Sequence, residues 1–199
     1  TLSSGIRGGK RYGDEHFLDM ESRLSENLLQ YAETTHQSGI TFVTGCYVDV
    51  FVTDEAGNST QLPTQVQLGA DRITADCAVT LTQGQTVKLE KLCRVATTRD
   101  NDFSCGDDWE RDALIRVEQE QMELLRRQGY EDALAKSQQA WEALWQTKDI
   151  RLEGDAWDLL AYRFAVYHLT IMTPVHDNRM NIGAKGLSGK GYFGHTFWD

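Results

Sequence analysis

The stretch ITFVTGCYVDVFV (Ile40–Val52) decides the fold of the first half of the chain. It alternates apolar with small or polar side chains and is rich in β-branched residues, which is typical of a strand that turns one face inward. The stretch EAGNS (Glu55–Ser59) follows it, with Gly57 and Asn58 at its centre. Because these residue types favour tight turns, we predict a strand that ends in a turn.

Further strands are predicted on both sides of this one. LLQYAETT (Leu28–Thr35) and HFLDMESRL (His16–Leu24) precede it. RITADCAVTL (Arg72–Leu81) and TVKLEKLCRVATT (Thr86–Thr98) follow it, joined by TQGQ, and predict a hairpin. The inward face of the last strand is predicted to consist of Val87, Leu89, Lys91, Cys93 and Val95. Five or six antiparallel strands favour a β-sandwich.

Near residue 100 the hydrophobic period changes to that of a helix. The stretch CGDDWERDALIRVEQEQMELLRRQG predicts a helix with Asp107 or Asp108 as its N-cap and Gly129 just after its last residue. The predicted apolar stripe contains Leu114, Val117, Gln121 and Leu124, flanked by Ile115, Met122 and Leu125. The acidic residues between them predict a solvated outer face.

Two more helices are predicted after Gly129. One runs from about Tyr130 to Thr147, and the other has Asp155 as its N-cap and ends before Pro174. The continuous apolar stripe of the last helix contains Trp157, Leu160, Phe164, Tyr167 and Ile171. His168 lies beside that stripe, which favours a partly buried structural role.

The overall composition excludes several classes of function. The chain has 199 residues, a net charge of −10 and a pI near 4.9, so neither nucleic acid nor an anionic membrane surface is expected as a partner. No apolar run approaches the roughly 18 residues of a membrane span. The four cysteines, Cys46, Cys77, Cys93 and Cys105, are far apart and lack metal-ligand spacing. We therefore expect a cytoplasmic protein with reduced, mostly buried thiols and no metal.

The glycine-rich end of the chain contains the candidate binding residues. Trp198 and Asp199 combine an aromatic face with a carboxylate, which is what a sugar ring and its hydroxyl groups require. The alternative is that Trp198 packs in a core and Asp199 caps a helix. His195 and His176 are candidate acid–base groups, although lone histidines are more often structural.

This end of the chain also carries a family resemblance. AKGLSGKGYFGHTFWD (Ala184–Asp199) resembles the AKGL-[ST]-GEGY-x-GH-x-FWD segment of glycoside hydrolase family 65, the family of maltose, kojibiose, nigerose and trehalose phosphorylases. Lys190 departs from the pattern, because the family usually has Glu there. The sequence YHLTIMTPVHD (Tyr167–Asp177) is similar to that of the kojibiose phosphorylase type.

The resemblance implies a mixed α and β fold in three parts. Residues 1–100 correspond to the C-terminal part of the family's antiparallel β-sandwich, and residues 101–152 to its helical linker. Residues 153–199 correspond to the start of the (α/α)6 catalytic barrel. The chain is thus expected to be a slice of a longer enzyme.

The implied activity is inverting phosphorolysis of an α-glucosyl disaccharide of the kojibiose or maltose type. Inorganic phosphate is the co-substrate, and no metal or organic cofactor is implied. The resemblance assigns Trp198 and Asp199 to the glucose subsite, with Tyr192, His195 and Arg179 lining or supporting it. The general-acid Glu is expected downstream, so this chain alone is expected to be inactive.

Two alternatives to a phosphorylase stay open at this point. One is a hydrolase of the same family, and the other is a noncatalytic carbohydrate-binding module. The expected partners are a disaccharide and the remainder of the same enzyme. Members of the family often form dimers, which leaves a homodimer open.

Overall fold

The computed structural model describes residues 1–9, 17–36, 38–100, 111–173, 175 and 182, with the side chain of Asp19 excepted. In the described residues it is a mixed α and β structure with antiparallel sheets, as the sequence predicted. It has two helices there and not the predicted three, because the first two predicted helices form one element with a kink at Gly129. The chain divides into two compact units, Thr1–Ala133 and Leu134–Asp199. The predicted N-caps Asp107 and Asp108 lie outside the described residues.

The first unit is built mainly from β-strands. Its described strands are β1 (Leu2–Arg7), β2 (Phe17–Ser25), β3 (Leu28–Thr35), β4 (Thr41–Thr53), β5 (Ser59–Leu62), β6 (Gln65–Leu68), β7 (Arg72–Cys77) and β8 (Thr86–Thr97). Strands β2, β3 and β4 match the three stretches that were predicted as strands between His16 and Val52. The predicted turn is also present, since Thr53 pairs with Ser59 and Gly57 has a left-handed φ of 85°.

The strands form two antiparallel sheets. The smaller sheet has the order β1-β7-β6, and the larger has the order β2-β3-β4-β5, with β8 also paired to β4. Strand β4 is central to the larger sheet, because it pairs with β3 through its first half, with β5 through its end and with β8 along almost its whole length. This arrangement explains why β4 is both long and largely buried.

Helix α1 (Arg111–Lys148) covers the outer face of the larger sheet with its first turns. Leu114 and Ile115 pack on Val43 and Ala96, and Met122 packs on a neighbouring cluster. The other face of the sheet packs on the smaller sheet through a core of Ile6, Leu29, Tyr31, Cys46, Val48, Ile73 and Ala75. Residues 28–33 of β3 are therefore buried on both faces, whatever their polarity.

The predicted hairpin between residues 72 and 98 is wrong. Strand β7 pairs with β1 and β6 in the smaller sheet, whereas β8 pairs with β4 in the larger one. The turn residues between them, including Gly84 with φ 84°, connect two sheets. Polar turn chemistry shows where a strand ends, but it does not determine which sheet the chain enters next.

The predicted inward face of β8 is also wrong. The core between the sheets contains residues of β3 and β4 but none of β8, so Val95 on the predicted face is 54% exposed. The opposite face is covered by α1, which buries Ala96 and partly buries Leu92. The face of β8 that α1 covers therefore determines which of its alternate side chains are buried.

The buried face of helix α1 also differs from the predicted apolar stripe. Its buried residues are Leu114, Ile115, Glu118 and Met122, whereas Leu124 is 48% exposed. The expectation that the acidic residues are solvated therefore fails for Glu118. Gly129 has non-helical backbone angles (φ 78°, ψ 171°) and marks the junction that the sequence predicted between two helical segments.

The described part of the second unit contains the end of α1 and helix α2 (Ala156–Met172). Asp155 caps α2 as predicted, because its Oδ1 accepts a 3.0 Å hydrogen bond from the Trp157 backbone N–H. The helix ends before Pro174, which lies outside the described residues. Among the residues described, neither helix offers an apolar stretch long enough to cross a membrane.

Candidate functional site

The residues predicted to bind sugar lie in the last part of the chain. Of that part the structure describes only residues 175 and 182. Outside the described residues are Arg179, Tyr192, His195, Trp198 and Asp199, together with His176 and Lys190. Their roles stay predictions, and the described residues show how the helix that leads into them is held.

Aromatic rings hold α2 against the end of α1 within the second unit. The ring centroids of Trp141 and Tyr167 are 5.1 Å apart, and those of Trp141 and Trp145 are 6.1 Å apart. His168 is half-buried and touches the rings of Phe164 and Tyr167 edge-on. Such pairs add stability beyond the apolar area that they bury.

Polar contacts fix the connection between the two helices. The Tyr162 hydroxyl donates a 2.7 Å hydrogen bond to the carbonyl of Lys148, and the Arg163 guanidinium pairs with Asp149. The Lys148 ammonium also donates to Thr170 Oγ1 at 3.0 Å. These contacts fix the start and direction of α2, and hence the point from which the predicted sugar-binding segment begins.

The apolar stripe predicted on α2 is present but largely uncovered by the described residues. Trp157 is 73% exposed and Phe164 is 63% exposed, and α2 has no buried residue. The spacing of the stripe was therefore predicted correctly. Its burial was not, because periodicity shows which side chains share a face and not what covers them.

A buried polar cluster joins α1 to the larger sheet in the first unit. The Gln30 side-chain amide donates a 2.7 Å hydrogen bond to Glu118 Oε2 and lies 3.3 Å from the carbonyl oxygen of Ile115. Glu118 is 0% exposed. Gly45 on β4 makes room for it, because a Cβ at that position would overlap the carboxyl group. In the part of the chain that is described, Glu118 Oε1 has no hydrogen-bond partner.

Burial dominates the ionisation of this carboxyl group. It raises the pKa of Glu118 to about 7, although the hydrogen bond from Gln30 and the charge of Arg94 act in the opposite direction. Below that pH the folded chain therefore keeps Glu118 neutral. We assign the group to holding the helix on the sheet. Sequence reasoning missed it, although its position between Ile115 and Met122 on the same helical face was an available signal.

No metal site is visible among the residues that the structure describes. No group of three or more His, Cys, Asp or Glu side chains there is arranged to hold an ion. The described residues hold α2, the helix that precedes the predicted sugar-binding segment in the sequence.

Two sequence models of known domain families match this chain. The sequence model of the N-terminal domain of glycosyl hydrolase family 65 matches residues 2–144. The model of the central catalytic domain of that family matches residues 163–199. The chain belongs to glycosyl hydrolase family 65. The resemblance that residues 184–199 suggested is confirmed, because the two models together match most of this chain.

Individual relatives agree with this assignment. The kojibiose phosphorylase of Halothermothrix orenii is 33% identical over 189 residues, which is 94% of this chain and 24% of the relative. The kojibiose phosphorylase of Escherichia coli is 33% identical over 201 residues, 100% of this chain and 25% of the relative. The 1,2-alpha-glucosylglycerol phosphorylase of Bacillus selenitireducens is 33% identical over 122 residues, 61% of this chain and 14% of the relative.

The chain therefore spans about a quarter of the length of the two kojibiose phosphorylases that it matches. All five predicted sugar-binding residues fall inside the stretch matched by the central catalytic domain. The strands β1–β8 and the first part of α1 fall inside the stretch matched by the N-terminal domain. The boundaries predicted at residues 100 and 152 stay predictions.

Proposed function

We propose that the polypeptide to which this chain belongs is an inverting phosphorylase of α-glucosyl disaccharides, of the kojibiose type in preference to the maltose type. The observation that carries the proposal is the 33% identity to two kojibiose phosphorylases over 94% and 100% of this chain. The third relative acts on a glucosylglycerol, according to its name, so the relatives share a glucosyl donor and differ in the acceptor.

The proposed mechanism needs one carboxylic acid and one phosphate ion. The acid protonates the glycosidic oxygen while phosphate attacks the anomeric carbon from the opposite face, which gives β-glucose 1-phosphate and the free acceptor. Phosphate replaces both the base and the water of an inverting hydrolase. We assign the acid to no residue of this chain, and we propose no metal or organic cofactor.

The proposed role of this chain is to bind the non-reducing glucose. The Trp198 ring covers the apolar face of the sugar, and the Asp199 carboxylate accepts hydrogen bonds from adjacent hydroxyl groups. Tyr192, His195 and Arg179 line or support that subsite. Helix α2 and its Asp155 cap hold the beginning of the catalytic domain, whose (α/α)6 barrel form is part of the proposal.

Product analysis of the full-length polypeptide tests the reaction type. The protein is incubated with kojibiose, maltose, nigerose and trehalose, each with and without inorganic phosphate. Phosphate-dependent β-glucose 1-phosphate from kojibiose is the expected result. Glucose release that is independent of phosphate would replace the proposal by a hydrolase, and sugar binding without any product would favour a binding module. The 199-residue chain alone is expected to give no turnover.

Asp199→Asn tests the proposed sugar subsite in the full-length polypeptide. Losing one charge-assisted hydrogen bond costs about 2 kcal/mol, which corresponds to about a 30-fold lower kcat/KM. Steady-state kinetics with the preferred disaccharide measures the change. Asp158→Asn, at an exposed position in the first turn of α2, is the matched control and should retain activity. Equal kinetics for both variants would remove Asp199 from the subsite.

A further inference from the structure

Two cysteines that are distant in sequence are neighbours in the larger sheet. Cys46 on β4 and Cys93 on β8 are directly opposite each other in the antiparallel register. Opposed residues of antiparallel strands point to the same face and have Cα atoms about 4.5–5.5 Å apart. That separation lies within the range of about 4.4–6.8 Å that a disulfide bond requires. The backbone thus already provides the spacing for a cross-strand disulfide.

The two thiols differ sharply in environment. Cys46 is 0% exposed within the core between the sheets, whereas Cys93 is exposed to solvent. Both are free thiols in the structure. An oxidant from solvent therefore reaches Cys93 first. Among the described residues, Cys46 is the only cysteine that the strand register places opposite Cys93.

Electrostatics favour Cys93 as the thiolate of the pair. The neighbouring Cys46 thiol lowers the pKa of Cys93 to about 7, and the nearby charge of Lys91 acts in the same direction. The same contact and burial raise the pKa of Cys46. A thiol whose pKa lies near the ambient pH is the most effective attacking group in exchange chemistry.

We propose that Cys46 and Cys93 form an oxidation site, in which exposed Cys93 reacts with a hydroperoxide and buried Cys46 then resolves it to a disulfide bond between β4 and β8. The Cys93 thiolate attacks the terminal hydroxyl oxygen of the hydroperoxide, the O–O bond breaks, and Cys93 sulfenic acid forms while hydroxide (from hydrogen peroxide) or an alkoxide leaves. The Cys46 sulfur then attacks the Cys93 sulfur. The S–S bond forms, the S–O bond breaks, and the Cys46 proton leaves with the hydroxyl group as water.

The site is independent of the proposed phosphorylase activity. It lies in the first unit, on strands that the N-terminal domain matches, and it needs only an oxidant. Reduction by a dithiol returns both cysteines to free thiols. The expected consequence is a covalent lock on the β4–β8 register that can be closed and opened without changing the rest of the sheet.

Peptide mapping of the reduced chain tests the proposal without any variant. All four cysteines fall in different tryptic peptides, with Cys46 in residues 24–72 and Cys93 in residues 92–94. In the native chain we expect a maleimide to label Cys93 at least about tenfold faster than Cys46. After hydrogen peroxide, we expect these two peptides to be joined with the loss of two hydrogen atoms, and dithiothreitol to separate them.

Two variants make the test specific. Cys93→Ser, at an exposed position, should abolish the cross-link, whereas Cys77→Ser, at a buried position in the smaller sheet, should leave it unchanged. Oxidation of Cys93 to sulfinic acid without a cross-link would overturn the proposal. A link from Cys93 to Cys77 or Cys105 in preference to Cys46, or an equal yield of the Cys46 link in denaturant, would also overturn it.

Discussion

Leu114→Ala is expected to lower the free energy of unfolding of the first unit by about 3 kcal/mol. Leu114 lies on α1 and is 0% exposed. It packs against Ala32, Val43 and Ala96 of the larger sheet. Truncation removes apolar burial and leaves a cavity between a helix and a sheet, two elements that cannot close it without moving. Urea unfolding followed by circular dichroism measures the change.

Leu124→Ala is the matched control for this prediction. It makes the same truncation on the same helix, but Leu124 is 48% exposed, so we expect a loss below about 1 kcal/mol. The apolar stripe inferred from sequence contains both leucines and predicts similar losses. Equal destabilisation by the two variants would therefore support the sequence-derived stripe and contradict the packing described here.

Glu118→Gln is expected to make the first unit more stable at pH 8 by about 3 kcal/mol. The pKa of Glu118 is raised from an ordinary 4.5 to about 7 in the fold, so the folded chain holds a proton that the unfolded chain has already lost. The free energy of unfolding therefore falls as the pH rises from 4.5 to 7, by about 1.4 kcal/mol per pH unit. Glutamine carries no titrating proton, and its side-chain oxygen can still accept the hydrogen bond from Gln30.

Unfolding midpoints between pH 5 and pH 8 provide the measurement. At pH 5 the carboxyl group is neutral in the fold and the pH is only slightly above its ordinary pKa of 4.5, so Glu118→Gln and the parent chain should differ by less than about 1 kcal/mol. Glu120→Gln, at an exposed position on the same helix, should follow the pH profile of the parent. If Glu118→Gln also follows that profile, the carboxyl group is already ionised in the fold at pH 5 and our assignment is wrong.

The strands show what hydrophobic alternation can and cannot predict. It located β4, whose stretch alternates apolar with small or polar side chains. It did not predict that β7 and β8 enter different sheets, since alternation describes one strand and pairing depends on residues far away in sequence. Cys46 and Cys93 became neighbours only through such a pairing.

Helix α1 shows a different limit. Its existence follows from periodicity, but Glu118 was predicted to be solvated because carboxylates usually are. Two residues outside the helix reverse that expectation: Gly45 provides space for the carboxyl group, and Gln30 provides a hydrogen bond. Burial of a charged residue thus depended on the sheet that receives it.

The family was predictable for a separate reason. Residues 184–199 combine glycines, aromatic rings and Asp199 in an order specific enough to indicate glycoside hydrolase family 65, and the domain matches confirm it. The roles of Trp198 and Asp199 follow from residue type and position in that order. The Asp199→Asn kinetics above provide the direct test of those roles.

The position of β4 has a consequence for synthesis of the protein. Strands β2, β3 and β4 follow one another along the chain and can pair as soon as they emerge, whereas the partner of the other edge of β4 is β8 (Thr86–Thr97). At about 5–20 residues per second, residues 54–97 take a few seconds to translate. During that time the nascent chain exposes a long unpaired strand edge, the kind of surface that recruits other chains.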